Sequence, residues 1–181
     1  MNVLGFSGSL RRASYNTALL HAAQELMPAE MTLEVYDLAP LPMYNADHDG
    51  ANMPEVVYDF KTRIAGADAL LIASPEYNHS VSGVLKNALD WASRGNPSPL
   101  SGKPVALMGA ATGIFGTVRG YQHLRDIAFA TNMHVLNRPM VLVPKVREKF
   151  DSEMRLVDED TRRFITELMS GLQQWTIRLN G

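Results

Sequence analysis

The sequence predicts an α/β fold: an open, doubly wound parallel sheet of five strands with helices on both faces. Three observations predict it. Short apolar runs alternate with stretches of helical periodicity along the chain. One run, Ala69 to Ala73, is apolar at every position, as a parallel strand covered on both faces requires. The segments after the first, third and fourth strands are all rich in Gly, Ser, Asn or Pro.

The elements follow in order. Asn2 to Phe6 reads as the first strand and stops at Ser7-Gly8-Ser9, after which Thr17, Leu19, Leu20, Ala23, Leu26 and Met27 recur at helical spacing until Pro28. Thr32 to Tyr36 alternates as a second strand before the turn Pro40-Leu41-Pro42. A helix over Pro54 to Ile64 places Val56, Val57, Phe60 and Ile64 together, with Pro54 in its first turn. Ala69 to Ala73 is the third strand, Ser74 to Ser82 a loop, and Val84, Leu85, Ala88, Leu89 and Ala92 the next helix. Pro104 to Met108 begins a fourth strand, followed by a Gly-rich loop from Gly109 to Gly120. Leu124, Ile127, Ala128 and Thr131 mark a further helix, and Val135 with Met140 to Val143 a final strand interrupted by Pro139. The closing helix carries Phe164, Ile165, Leu168, Met169, Leu172, Trp175 and Leu179 on one stripe and opens on Asp158-Glu159-Asp160, acidic residues that suit a helix N-terminus.

Composition narrows the function. The 181 residues fit one domain spanning 1–181. With 17 basic and 19 acidic residues and a net charge of -2, no broad positive field exists for nucleic acid or anionic membrane, and neither is expected as a partner. There are no cysteines, which excludes disulfides, thiolate nucleophiles and sulfur-ligated metals, so redox work requires a bound cofactor. No charged leader precedes a long apolar stretch, and the expected location is cytoplasmic. The histidines His21, His48, His79, His123 and His134 lack ligand spacing, and no metal site is expected.

Ligands of doubly wound sheets bind beyond the carboxyl ends of the strands, where strand order switches. The loop Ser7 to Asn16 leads into a helix N-terminus, whose free N–H groups and dipole favour an anion. Ser7, Ser9, Ser14 and Asn16 supply donors, Gly8 permits close backbone approach, and Arg11 or Arg12 can pair with a dianion. The competing reading makes Ser14 or Asn16 a helix cap and leaves the arginines in solvent. No Gly-Lys-Ser/Thr follows, because Lys103 sits in Ser101-Gly102-Lys103-Pro104 ahead of a strand, so this is not a P-loop. A third glycine is also lacking, so a mononucleotide fits better than a dinucleotide. Ser7 and Ser74 stand where a phospho-acceptor domain would want carboxylates.

Taken together, Gly8-Ser9-Leu10-Arg11, Pro75-Glu76-Tyr77-Asn78 and Ser82-Gly83-Val84-Leu85-Lys86-Asn87-Ala88-Leu89-Asp90-Trp91 resemble the NADPH-dependent FMN reductases, a group including quinone, chromate and azo-dye reductases. The resemblance covers nearly the whole chain. It implies a flavodoxin-like sheet with strand order 2-1-3-4-5, FMN as cofactor and NADPH or NADH as co-substrate. Ser7, Ser9, Arg11, Ser14, Tyr15 and Asn16 would border the FMN phosphate. Pro75, Glu76, Tyr77 and Asn78 would run along the flavin ring, with backbone N–H groups at its polar edge and Tyr77 as packing surface. Ala110, Thr112 and Gly113 would close its far side. Glu76 could instead cap a helix or form a salt bridge, and Phe115 could belong to the core. The third loop departs from the family pattern, with Ala110-Ala111 and Thr117 where members often carry serine and glycine.

The activity so implied is two-electron transfer from NAD(P)H to a small acceptor such as a quinone, azo compound, chromate or free flavin. No side chain is required as acid or base, since the flavin carries the chemistry. The alternative is a flavodoxin-type one-electron carrier without NAD(P)H oxidation, although such carriers are usually strongly acidic and bind phosphate without paired arginines. Members usually form homodimers or homotetramers, with the helix bearing Asp90 and Trp91 near the interface.

Overall fold

A computed structural model describes all 181 residues. The apolar runs form strands β1 (Asn2–Ser7), β2 (Thr32–Tyr36), β3 (Ala69–Ala73) and β4 (Pro104–Ala110), followed by the short β5 (His134–Val135) and β6 (Val141–Val143). Helices α1 (Tyr15–Leu26), α2 (Glu55–Gly66), α3 (Gly83–Ala92), α4 (Val118–Ala130) and α5 (Glu159–Asn180) connect or follow them. The sheet is parallel throughout, ordered β2-β1-β3-β4-β5, with β6 also paired to β4.

Every residue of β3 and β4 is buried, and the pleat divides their side chains between two cores. Leu71, Ala106 and Met108 meet Leu19 and Leu20 of α1 and Ile165, Leu168 and Leu172 of α5. Leu70, Ile72 and Leu107 meet Phe60 and Ile64 of α2, Leu85 and Leu89 of α3, and Leu124 of α4. Each large side chain buried in this way contributes about 1.5–3 kcal/mol. The connections change faces between β1 and β3, which are paired up to Ser7 and Ala73. That is the switch point, and the ligand-binding edge lies above it.

Three sequence expectations change. The final strand is two strands: β5 pairs with Pro104 and Val105, β6 with Met108 to Ala110, and the chain between them carries Pro139, which has no N–H to give a ladder. The sheet therefore has six strands. The fourth strand continues to Ala110, and the Gly-rich segment is shorter than expected because Gly120 lies inside α4. On α5, Phe164 and Leu179 face solvent while Thr161 and Thr176 are buried in the stripe, a phase that apolar counting misses because threonine satisfies its hydroxyl locally.

Candidate functional site

Above the switch point the loops after β1, β3 and β4 converge on a cleft of about 250 Å³. Its walls are Ser9, Arg11, Ser14, Tyr15 and Asn16 from the first loop, Pro75, Glu76 and Tyr77 from the second, and Ala110, Ala111 and Thr112 from the third, with Val146 closing it. Most of the residues singled out in the sequence are thus brought together. Three are not part of this wall. Ser7 lines a neighbouring cleft beside Asp37, shared with Ser9 and Arg11; Asn78 and Gly113 lie beyond the rim.

The first loop leaves β1 through a hydrogen bond from Gly8 N to Ala73 O at 2.9 Å. A Cβ on Gly8 would come within 2.7 Å of Ser82 Oγ and 3.0 Å of Pro75 Cδ, so glycine lets the first loop sit against the second. Ser7 Oγ accepts from Ser9 N at 3.1 Å, which holds the turn. Ser14 caps α1 by accepting from Thr17 N at 3.2 Å, and its hydroxyl proton stays available to a ligand. The N–H groups of Tyr15 and Asn16, at the open end of α1, have no intrahelical acceptor. Neither Arg11 nor Arg12 pairs with a carboxylate. The Tyr15 ring packs on Phe150 with centroids 5.3 Å apart.

Asn16 departs from the expected role. Its Nδ2 donates to Ala110 O at 3.1 Å and its Oδ1 accepts from Ala110 N at 2.9 Å, so the buried amide is spent on the end of β4. It braces the cleft and leaves only its main-chain N–H for an anion.

In the second loop, Tyr77 and Ser80 exchange backbone hydrogen bonds, each of 3.0 Å, around a two-residue turn. Its central residues, Asn78 at φ +50° and His79 at φ +65°, are both left-handed, the geometry of a type I′ turn. Asn78 is therefore an exposed turn residue and not part of the cleft lining. Tyr77, 47% exposed, presents an aromatic surface at the mouth. Glu76 is the cap that the sequence left open: its Oε2 accepts from Arg119 N at 2.9 Å and Gly120 N at 3.0 Å, and its Oε1 lies 3.6 Å from the Arg119 guanidinium.

The third loop is tied at its root. Ala111 N donates to Val143 O and Ala111 O accepts from Val146 N, while Gly113 O accepts from Lys145 N. A Cβ at Gly109 would collide with the Ser74 carbonyl and the Thr117 hydroxyl, so Thr117 here packs on a glycine and is buried. Phe115 is not core. It is 63% exposed beside the equally open Ile114, under the Arg119 guanidinium at 5.4 Å. Val146 was missed by the sequence reading because it belongs to a turn with no motif; only the apolar run before it points there. Trp91, on α3, is fully buried and donates to Pro42 O at 2.8 Å.

One end of the cleft is thus an anion pole, with free helix N–H groups, hydroxyls and an unpaired guanidinium. The other end is a flat wall of proline, tyrosine and backbone. Fold and site together define a flavodoxin-like mononucleotide-binding protein.

Residues 1–148 match the NADPH-dependent FMN reductase family. An NAD(P)H-dependent FMN reductase of Pseudomonas aeruginosa is 46% identical over 181 residues, covering 100% of this chain and 98% of that protein. An NADPH:quinone oxidoreductase of Arabidopsis thaliana is 41% identical over 187 residues, 100% of this chain and 94% of that protein. Among solved structures, the flavoenzyme NAD(P)H:(acceptor) oxidoreductase of Paracoccus denitrificans superposes with a TM-score of 0.89 at 30% identity, covering 98% of this chain and 97% of that one. The chain belongs to the NADPH-dependent FMN reductase family.

Proposed function

We propose that this chain, a single domain, binds FMN in the cleft above β1, β3 and β4 and passes two electrons from NAD(P)H to a small quinone-type acceptor. The observation that carries the reading is the junction of an unpaired anion pole with a flat aromatic and backbone wall in one cleft. The residues fit the cofactor. Ser9, Ser14 and Arg11, with the N–H groups of Tyr15 and Asn16, hold the phosphate; Pro75 and Tyr77 support the ring, and the backbone of Ala110 to Thr112 borders it. FMN, when bound, supplies the two-electron chemistry, so the protein's tasks are to fix the ring, exclude water from one face and leave the other open. No side chain of the cleft is assigned a proton-transfer role.

Two relatives support the acceptor class, since those from Arabidopsis and from Escherichia coli, the latter 32% identical over 182 residues, are named NADPH:quinone oxidoreductase and quinone reductase. The exposed Tyr77, Ile114, Phe115 and Val118 support pairing into a homodimer or homotetramer. No helix is long and apolar enough to cross a membrane, and the reading places the enzyme in the cytoplasm.

Titration of the purified protein with FMN, followed by flavin fluorescence, tests the core of the reading. Saturable quenching at one site per chain is expected, and its absence would overturn it. Steady-state rates with NADPH and NADH against a quinone, an azo dye, chromate and free flavin then rank the acceptors. A protein that binds FMN but oxidises neither nicotinamide would be a one-electron carrier.

A further inference from the structure

Helix α4 begins at an unusual deficit. Its N-cap Thr117 makes no side-chain cap bond and its first turn holds no acidic residue, so nothing local answers the free N–H groups or the positive end of the dipole. The answer comes from 43 residues upstream, where Glu76 gives one carboxylate oxygen to both Arg119 N and Gly120 N. The side chain is only 9% exposed and lines the cleft that holds Tyr77 and Thr112. Gly120 lets the two segments close, since a Cβ there would lie 3.2 Å from Ser80 O. One turn further along α4, His123 Nδ1 meets Ser80 Oγ at 2.9 Å and fastens the other end of the same turn.

We propose that Glu76 is a positioning residue: it locks the Pro75–Ser80 turn onto the N-terminus of α4, and its negative charge lowers the reduction potential of FMN held in the cleft. The first half concerns the fold. Without the carboxylate, two N–H groups lose their acceptor and the turn carrying the ring wall loses its anchor. The second half rests on the proposed flavin site. A fixed anion beside the cleft opposes electron uptake by a bound ring, and it also offsets the positive helix end and the Arg119 guanidinium 3.6 Å away, both of which would favour uptake.

The two halves separate by substitution. A single oxygen of Glu76 accepts both N–H groups, so Glu76→Gln keeps that geometry and removes the charge, whereas Glu76→Ala removes both. In the apoprotein, Glu76→Ala is expected to lower the unfolding temperature and Glu76→Gln to lower it less, since it keeps the acceptor and loses only the charge. With FMN, Glu76→Ala should bind roughly tenfold more weakly, the equivalent of about 1.4 kcal/mol, and Glu76→Gln should bind as wild type but with a raised midpoint potential against reference dyes. Unchanged apo stability and FMN affinity in Glu76→Ala would overturn the lock, and an unchanged or lowered potential in Glu76→Gln would overturn the electrostatic half. A wild-type chain that takes up no FMN sinks the flavin reading and the electrostatic half with it, while the apoprotein comparison still decides the lock.

Discussion

Asn16 and Ala110, 94 residues apart in sequence, exchange two hydrogen bonds between a side-chain amide and a main-chain amide, both buried. The pairing joins the start of α1 to the end of β4 and so sets the distance between the phosphate pole and the third loop. Asn16→Ala should strand a buried N–H and C=O at the end of β4, costing about 1–3 kcal/mol for each group left unsatisfied. Urea denaturation of the apoprotein measures the loss, and stability within about 0.5 kcal/mol of wild type would refute the brace.

Arg11 contributes nothing to the fold that the structure records, because it has no ion pair in the chain. Arg11→Ala should therefore leave unfolding unchanged while weakening FMN binding by roughly tenfold or more, the scale of one charge-assisted hydrogen bond. Arg12, which lines a different cleft beside Glu153 and Arg155, should tolerate the same change. Fluorescence titration of the two variants compares them, and equal losses would remove the assignment of Arg11.

Gly8 sits where the first and second loops touch. Gly8→Ala places a methyl group against Ser82 Oγ and Pro75 Cδ, and overpacking of this kind costs about 1–3 kcal/mol. Both apo stability and FMN affinity should fall together, because the displaced Pro75 is part of the proposed ring wall.

The I′ turn offers a change in the opposite direction. His79 holds φ +65° despite its Cβ, a conformation that costs a non-glycine residue roughly 1–2 kcal/mol. His79→Gly creates the Asn-Gly pair that this turn favours and should raise stability by up to about 1 kcal/mol. Thermal unfolding at fixed pH reads the sign.

Acid should loosen α5. The hydrogen bond from Lys149 Nζ at 2.6 Å, reinforced by Thr161, holds the Asp158 carboxyl below its ordinary value of 3.8. A depressed folded-state pKa gives stability that is present above the unfolded value and lost as pH falls through the folded one. Asp158→Asn keeps a competent N-cap but removes the charge, so its stability should fall less than wild type between about pH 4 and the folded pKa below it. Parallel urea titrations across that window would expose an identical slope if the ion pair contributes nothing.

The sheet was legible in the sequence where a strand's apolar pattern was regular, continuous in the two-sided β3 and alternating in the edge strand β2. Ala69 to Ala73 and Thr32 to Tyr36 appear with the bounds read from their apolar patterns. The last strand was not, because β5 and β6 are held by pairing to opposite ends of β4 and not by their own pattern. For the cleft, backbone-rich loops announced themselves through Gly, Ser and Pro. What each polar side chain does inside them was less visible: Asn16 and Asn78 have the composition of ligand contacts, yet one braces a strand and the other makes a turn. Such choices depend on partners far along the chain, Ala110 for Asn16 and Arg119 for Glu76, which no local pattern specifies.

The cap supplied to α4 by a distant carboxylate also limits how parts of this chain could be exchanged. A chimera that imports the segment from Val118 to Ala130 without the stretch around Glu76 would bring a helix whose leading amides find no acceptor. The two segments act as one unit despite their separation, and recombination between relatives should succeed when both come from the same parent.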